Sequence, residues 1–117
     1  DDTHPDLAGA KNPVLLDDTK ANYFAKQFRA NCKRCHGENG SGGGDEAAQQ
    51  AVPPTRFTDA AHMATRSDGQ LFWQIARGGA PRCDMPGFGP GSANAWNDEK
   101  IWGMVAYLRR LAQQETR

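Results

Sequence analysis

Apolar residues recur at helical spacing in three stretches of this chain and are sparse between them. From residue 18 to about 33, Tyr23, Phe24 and Phe28 share one face with Gln27, and the small Ala21 and Ala25 lie on the adjoining one. Asp18 or Thr19 can cap the start of that helix. A second helix is predicted over about 68–77. Ser67 and Gln70 stand in the capping-box relation, Leu71, Phe72 and Ile75 make the apolar face with Trp73 at its flank, and Gly78-Gly79 end it. A last helix starts after Asn97, with Asp98 and Glu99 in its first turn and Arg109 and Arg110 towards its end, as the helix dipole favours. Ile101, Trp102, Val105, Leu108 and Leu111 give it an apolar stripe.

The intervening stretches carry breaker chemistry. Residues 1–17 are polar, hold Pro5 and Pro13, and read as an extended arm ahead of a domain at 18–117. Val14-Leu15-Leu16 can pack onto that domain, while the first dozen residues are expected to be mobile. Residues 37–50 are too rich in glycine for regular structure, and they lack the preceding strand and following Lys-Ser/Thr of a phosphate-binding loop. Pro53-Pro54 predicts a rigid extended segment followed by a loop through Phe57, and residues 80–96 form a Pro/Gly loop. No segment has the pattern of a strand and none repeats. The fold class is all-α, three to five helices with long loops.

A chain of 117 residues makes one domain. Its 38% hydrophobic content, with 13 Gly and 7 Pro, is thin for a core of its own, and a large apolar prosthetic group would supply the missing surface. Fourteen basic and fourteen acidic residues cancel, which gives no footing for nucleic acid or an anionic membrane as partner. No apolar run approaches the ~18–20 residues of a membrane span. The start at Asp1-Asp2 reads as a mature form whose signal peptide has been removed.

Residues 32–36, Cys-Lys-Arg-Cys-His, carry the chemistry. C-x-x-C-H is the attachment signature of a c-type haem. Cys32 and Cys35, on one helical turn, can each form a thioether to a haem vinyl group, and His36 then supplies an axial nitrogen to the iron. A thioredoxin-like redox pair would sit in a strand–helix context rich in β-branched residues, which is missing. A zinc site needs two further ligands at short spacing, and only Cys83, His4 and His62 remain, scattered. With two cysteines spent on thioethers, Cys83 has no partner within the chain; it is either a buried inert thiol or an exposed one open to oxidation or intermolecular pairing.

The sixth iron position has six candidates: Met63, Met85, Met104, Cys83, His4 and His62. Met104 falls inside the last helix and Met63 just before a capping box, so both read as core. His4 lies in the arm. His62 would give a bis-histidine haem, and Cys83 as thiolate would lower the potential. Met85 stands in Arg82-Cys83-Asp84-Met85-Pro86-Gly87-Phe88-Gly89-Pro90, where proline enforces extended backbone and the glycines allow close approach to a macrocycle. Its neutral thioether would favour ferrous iron and raise the potential. It is the preferred candidate.

With Phe28-Arg29-Ala30-Asn31-Cys32-Lys33-Arg34-Cys35-His36-Gly37, Met85-Pro86-Gly87-Phe88 and Trp102-Gly103-Met104-Val105-Ala106-Tyr107-Leu108-Arg109, the chain resembles a class I monohaem cytochrome c of the small bacterial type. Residues 67–79 also resemble the helix and turn before the methionine loop in cytochrome domains that serve periplasmic dehydrogenases and oxidases. The resemblance spans about residues 18–112. It implies the cytochrome c fold around one covalently bound haem c, with the first helix crossing the last, Ala25 and Phe28 meeting Trp102, Ala106 and Tyr107. It implies a carbonyl at Pro53 or Pro54 accepting the His36 Nδ1 proton. It also implies a periplasmic location, where haem is attached. Cys83 departs from the family pattern.

The function expected is electron transfer rather than enzyme catalysis, since iron held on both axial sides has no open position for substrate. Lys33, Arg34, Arg77 and Arg82, with Asp84 the exception, would form a basic rim around the haem edge, unless they are simply scattered solvated charges. The partners would be redox proteins in weak, transient, salt-sensitive complexes. Two other readings stand beside this one: a haem subunit or excised cytochrome domain of a larger dehydrogenase or oxidase, and a haem enzyme or gas sensor with a labile sixth ligand. No base–nucleophile pair supports a hydrolase or transferase, and Glu38, Asp45 and Glu46 sit in a glycine-rich loop as solvated charge.

Overall fold

Asp17 opens the first helix. Its backbone is extended and its carboxylate accepts the Lys20 N–H at 2.8 Å, so α1 spans Asp18–Asn31. The cap is one residue ahead of the predicted Asp18 or Thr19, which leaves Asp18 in the first turn facing the positive end of the helix dipole. The helix also ends earlier than the expected residue 33, with Cys32 at the C-cap. The structure is a computed structural model that describes residues 11–32, 36, 44, 59–78, 87–89, 91–92 and 94–115, with side chains as far as Gln113. The expectations for residues 1–10, for most of 37–50 and for Pro53-Pro54 lie outside the described residues.

A short helix, α2 (Ala60–Ala64), falls where the sequence pattern predicts none. Asp59 caps it by accepting the His62 N–H, and the Thr65 N–H and hydroxyl both return to the His62 carbonyl. Five residues are too few to show a period, and Met63 is the one it buries. Helix α3 (Asp68–Arg77) has the predicted bounds. Ser67 Oγ accepts the Gln70 N–H at 3.1 Å and Gln70 Oε1 accepts the Ser67 N–H at 2.7 Å, which completes the capping box. It stops at Gly78, whose φ of 77° lies in the left-handed region that glycine tolerates. Helix α4 (Asp98–Glu115) is capped as expected, Asn97 Oδ1 accepting the Lys100 N–H at 2.9 Å.

Helix α4 packs against α1, α2 and α3 and is the axis of the molecule. Its Ile101, Met104 and Val105 are buried with Phe28 and Met63. At the α1–α4 crossing the Phe28 and Tyr107 rings lie 5.7 Å apart, as expected. The tightest approach is at Gly103, where a Cβ would fall 2.0 Å from Phe24 Cζ. Trp102 packs against Phe72 of α3 in a tilted arrangement, with ring centroids 4.4 Å apart.

Two further contacts tie the periphery to α4. Arg109 Nε meets Asp68 Oδ1 at 2.9 Å, while its terminal nitrogens donate to the carbonyls of Met63 and Arg66. Ahead of α1, residues 11–17 run along the surface. Asn12 Nδ2 donates to the Trp102 carbonyl at 2.8 Å, and Leu16 packs on the core while Leu15 remains 85% exposed. Among the described residues there is no strand, and no helix is long and apolar enough to cross a membrane.

Candidate functional site

The last turn of α1 leads directly into the cysteine–histidine motif. The Cys32 N–H donates to the Phe28 carbonyl, and the His36 N–H donates to the Cys32 carbonyl at 3.0 Å. Both are i to i+4 bonds of α-helical type, so Cys32 and His36 sit one turn apart. Cys35, Met85, Cys83 and His4 lie outside the described residues, as do Lys33, Arg34, Arg82 and Asp84 of the basic rim.

Cys32 and His36 line a cavity whose other walls are Ile75, Phe88, Trp96, Met104 and Leu108. Each wall follows from its element. Ile75 belongs to the apolar face of α3, and Met104 and Leu108 stand one turn apart on α4. Phe88 and Trp96 come from the segment between those helices, where their rings lie 4.8 Å apart and the Trp96 N–H donates to the Phe88 carbonyl at 2.6 Å. The Lys100 ammonium lies 4.4 Å from the Trp96 ring centroid.

The lining suits a flat apolar macrocycle bearing a metal. Five of its seven residues offer hydrocarbon, aromatic or thioether surface, and the other two are the thiol and the imidazole of the motif. Burial pushes the Cys32 thiol up to about 12, so the free side chain is a neutral thiol at neutral pH. A redox pair of the thioredoxin kind needs the opposite, a stabilised thiolate. Among the described residues no three His, Cys, Asp or Glu side chains gather as a metal site, so the zinc alternative gains no support there.

The rival axial ligands separate by position. Met63 is a core residue, only 1% exposed, and His62 is half-buried on α2; neither lines the cavity. Met104 is also buried core, as its helical register predicts, and in addition forms cavity wall. Trp96 is the wall residue that the sequence reading passed over inside the 80–96 loop. A signal for it was present: it precedes the Asn97 cap and stands at staple spacing from Ile101, and both are buried in one cluster.

The Cytochrome c family profile matches residues 25–112, a span that includes α1 from Ala25, the cysteine–histidine motif, α3 and most of α4. No curated protein sequence is similar enough to count as a relative. Among solved structures, a chain of the reducing HAO-like protein complex of Kuenenia stuttgartiensis is similar, with a TM-score of 0.65 and 23% identity. The match covers 89% of this chain but only 48% of that one, so this chain spans about half its length, and at that identity the likeness is one of fold. The profile match over three-quarters of the sequence and the apolar cavity at its Cys-x-x-Cys-His motif agree, and the chain belongs to the cytochrome c family of electron-transfer haem proteins.

Proposed function

We propose that the protein is a one-electron carrier holding a single c-type haem, attached through Cys32 and Cys35 and ligated by His36 and Met85, and that it works in the periplasm between redox proteins. The observation that carries this reading is the placing of Cys32 and His36 one helical turn apart in the wall of an otherwise apolar cavity. When bound, the haem supplies an iron that changes oxidation state by one electron. The chain supplies the setting. His36 brings an imidazole nitrogen from one turn past the Cys32 cap of α1, and Ile75, Phe88, Trp96, Met104 and Leu108 keep water away from it. Met85 adds a neutral thioether that favours the reduced state.

A visible spectrum with a redox titration tests the reading. The wild type should show one low-spin haem with the weak far-red band of a thioether–iron(III) bond. Met85→Ala should lose that band and titrate at a lower potential, whereas Met104→Leu, a change within the wall, should keep it. Loss of the band in Met104→Leu with retention in Met85→Ala would reassign the ligand.

The partner surface follows from exposed charge. Arg77 is exposed at the end of α3, its guanidinium 5.8 Å from the Trp73 ring, and belongs to the rim proposed with Lys33, Arg34 and Arg82. This rim suits an acidic patch on a redox partner, in a complex whose association slows as ionic strength rises. A second reading, a haem subunit of a larger redox assembly, draws on the fold neighbour, which is about twice as long and belongs to a protein complex. Size measurement on protein isolated from its natural source separates a free carrier from a permanently docked subunit.

A further inference from the structure

Residues 87–89 lie against the last turn of α3 more closely than side chains would permit. The Phe88 N–H donates to the Ile75 carbonyl at 2.9 Å and the Gly89 N–H to the Ala76 carbonyl at 3.0 Å. Both carbonyls belong to the C-terminal turn of a helix, where backbone acceptors lack partners within the helix. A Cβ on Gly87 would come within 2.8 Å of the Arg77 carbonyl oxygen and 2.9 Å of the Ala76 one. On Gly89 it would sit 3.1 Å from both Ala76 Cβ and the Ala76 oxygen. The collisions at Gly87 are with backbone, so no side chain can swing aside to relieve them. From the other side the Gly87 carbonyl accepts a hydrogen bond from Asn94 Nδ2, and the Phe88 carbonyl accepts one from Trp96. The segment is held on two sides while Phe88 stands in the cavity wall.

We infer that Gly87 and Gly89 are positioning residues for the sixth iron ligand. They let the backbone latch onto the end of α3, and the latch fixes the chain two residues after Met85. Two residues reach at most ~7 Å, so a fixed Gly87 confines where the Met85 backbone can lie. This inference rests on the reading of Met85 as a ligand. It puts the restraint on that ligand in a contact remote from the sulfur, with α3 as the anchor. An alanine at 87 must lift the segment off α3 and slacken the tether.

The test uses the haem-loaded protein and compares three glycine-to-alanine variants of the same segment. Gly87→Ala should lose the far-red thioether band, lower the midpoint potential and bind carbon monoxide rapidly in the ferrous form, which the wild type should not. Gly89→Ala, with a milder collision, should weaken the band in part. Gly91 has φ of 87° and nothing within 4 Å of its Cβ position, so Gly91→Ala strains the backbone without pushing on α3. It should lower thermal stability yet keep the band and the potential. Gly87→Ala with wild-type spectrum and potential overturns the latch. If Gly87→Ala does not accumulate with haem, Gly89→Ala decides: a weakened band supports the latch and an unchanged one overturns it. Band loss in Gly91→Ala equal to that in Gly87→Ala overturns it as well, since general destabilisation would then explain both. A wild type without the band refutes Met85 ligation and the latch together, whereas a banded wild type with an unaltered Gly87→Ala refutes the latch alone.

Discussion

The Tyr107 ring packs on Phe28 at the α1–α4 crossing, while its hydroxyl feels two guanidiniums. Burial raises its pKa above the ordinary phenol value of 10.0, and Arg29 and Arg110 pull it back in part. The sign for stability follows. A group with its folded pKa above its unfolded one contributes fully below the unfolded value and loses that contribution as pH rises through the folded one. Stability should therefore hold up to about pH 10 and decline above it. Tyr107→Phe should remove part of the decline, as chemical denaturation of the haem-loaded protein at pH 8 and about pH 11 would show; an identical decline in the variant would exclude Tyr107 as its source. At this scale legibility was uneven. Cys32 and His36 could be read because covalent chemistry fixes their spacing in sequence. Trp96 could not, because its role comes from a ring contact with Phe88 and a place in the cavity wall, which no local period records.

Between elements, two contacts on α4 fit it to its neighbours. Gly103 lets the Phe24 ring lie flush on the α4 backbone, so Gly103→Ala overfills the crossing and should cost about 1–3 kcal/mol. The clash is with a ring end, and Phe24→Leu in the same chain should return part of the loss. A double-mutant cycle in urea measures this, and strictly additive effects would show that the two residues do not oppose each other. Arg109 joins α4 to the α2–α3 junction through two backbone carbonyls and Asp68. Arg109→Gln leaves those carbonyls short of donors and should cost about 2 kcal/mol. Asp68→Asn weakens only a pair with side chains 28% and 32% exposed and should cost well under about 1 kcal/mol. Equal losses would place the energy in the ion pair instead. These elements also show what a sequence reveals. Helix α3 was legible to its last residue because its capping box, apolar face and terminal glycine are all local. Helix α2 was not, because five residues held by Asp59, Thr65 and the distant Arg109 owe their form to neighbours.

For the molecule as a whole, the decisive feature is a core built around an opening. Ile75, Phe88, Trp96, Met104 and Leu108 are each at most 6% exposed and line the cavity beside Cys32 and His36. Taking a large apolar group out of that cavity removes the contacts these side chains make with it. A domain of this size has only about 5–15 kcal/mol of net stability to lose. A chain with 38% hydrophobic residues has little surplus apolar surface with which to close the gap. The loss should not fall evenly. The α1–α4 pairing at Phe24–Gly103 and Phe28–Tyr107 uses none of the cavity-lining side chains, whereas Ile75 of α3 and the Phe88–Trp96 segment line it. Replacing both attachment cysteines by alanine and extracting the haem should leave far-UV circular dichroism largely intact. The same protein should lose its near-UV signal, bind a hydrophobic dye and unfold over a broad temperature range. The α1–α4 amides should keep their hydrogen-exchange protection while those of α3 lose it. Sharp unfolding of the haem-free protein at the temperature of the loaded one would mean that the helices close the core without the haem.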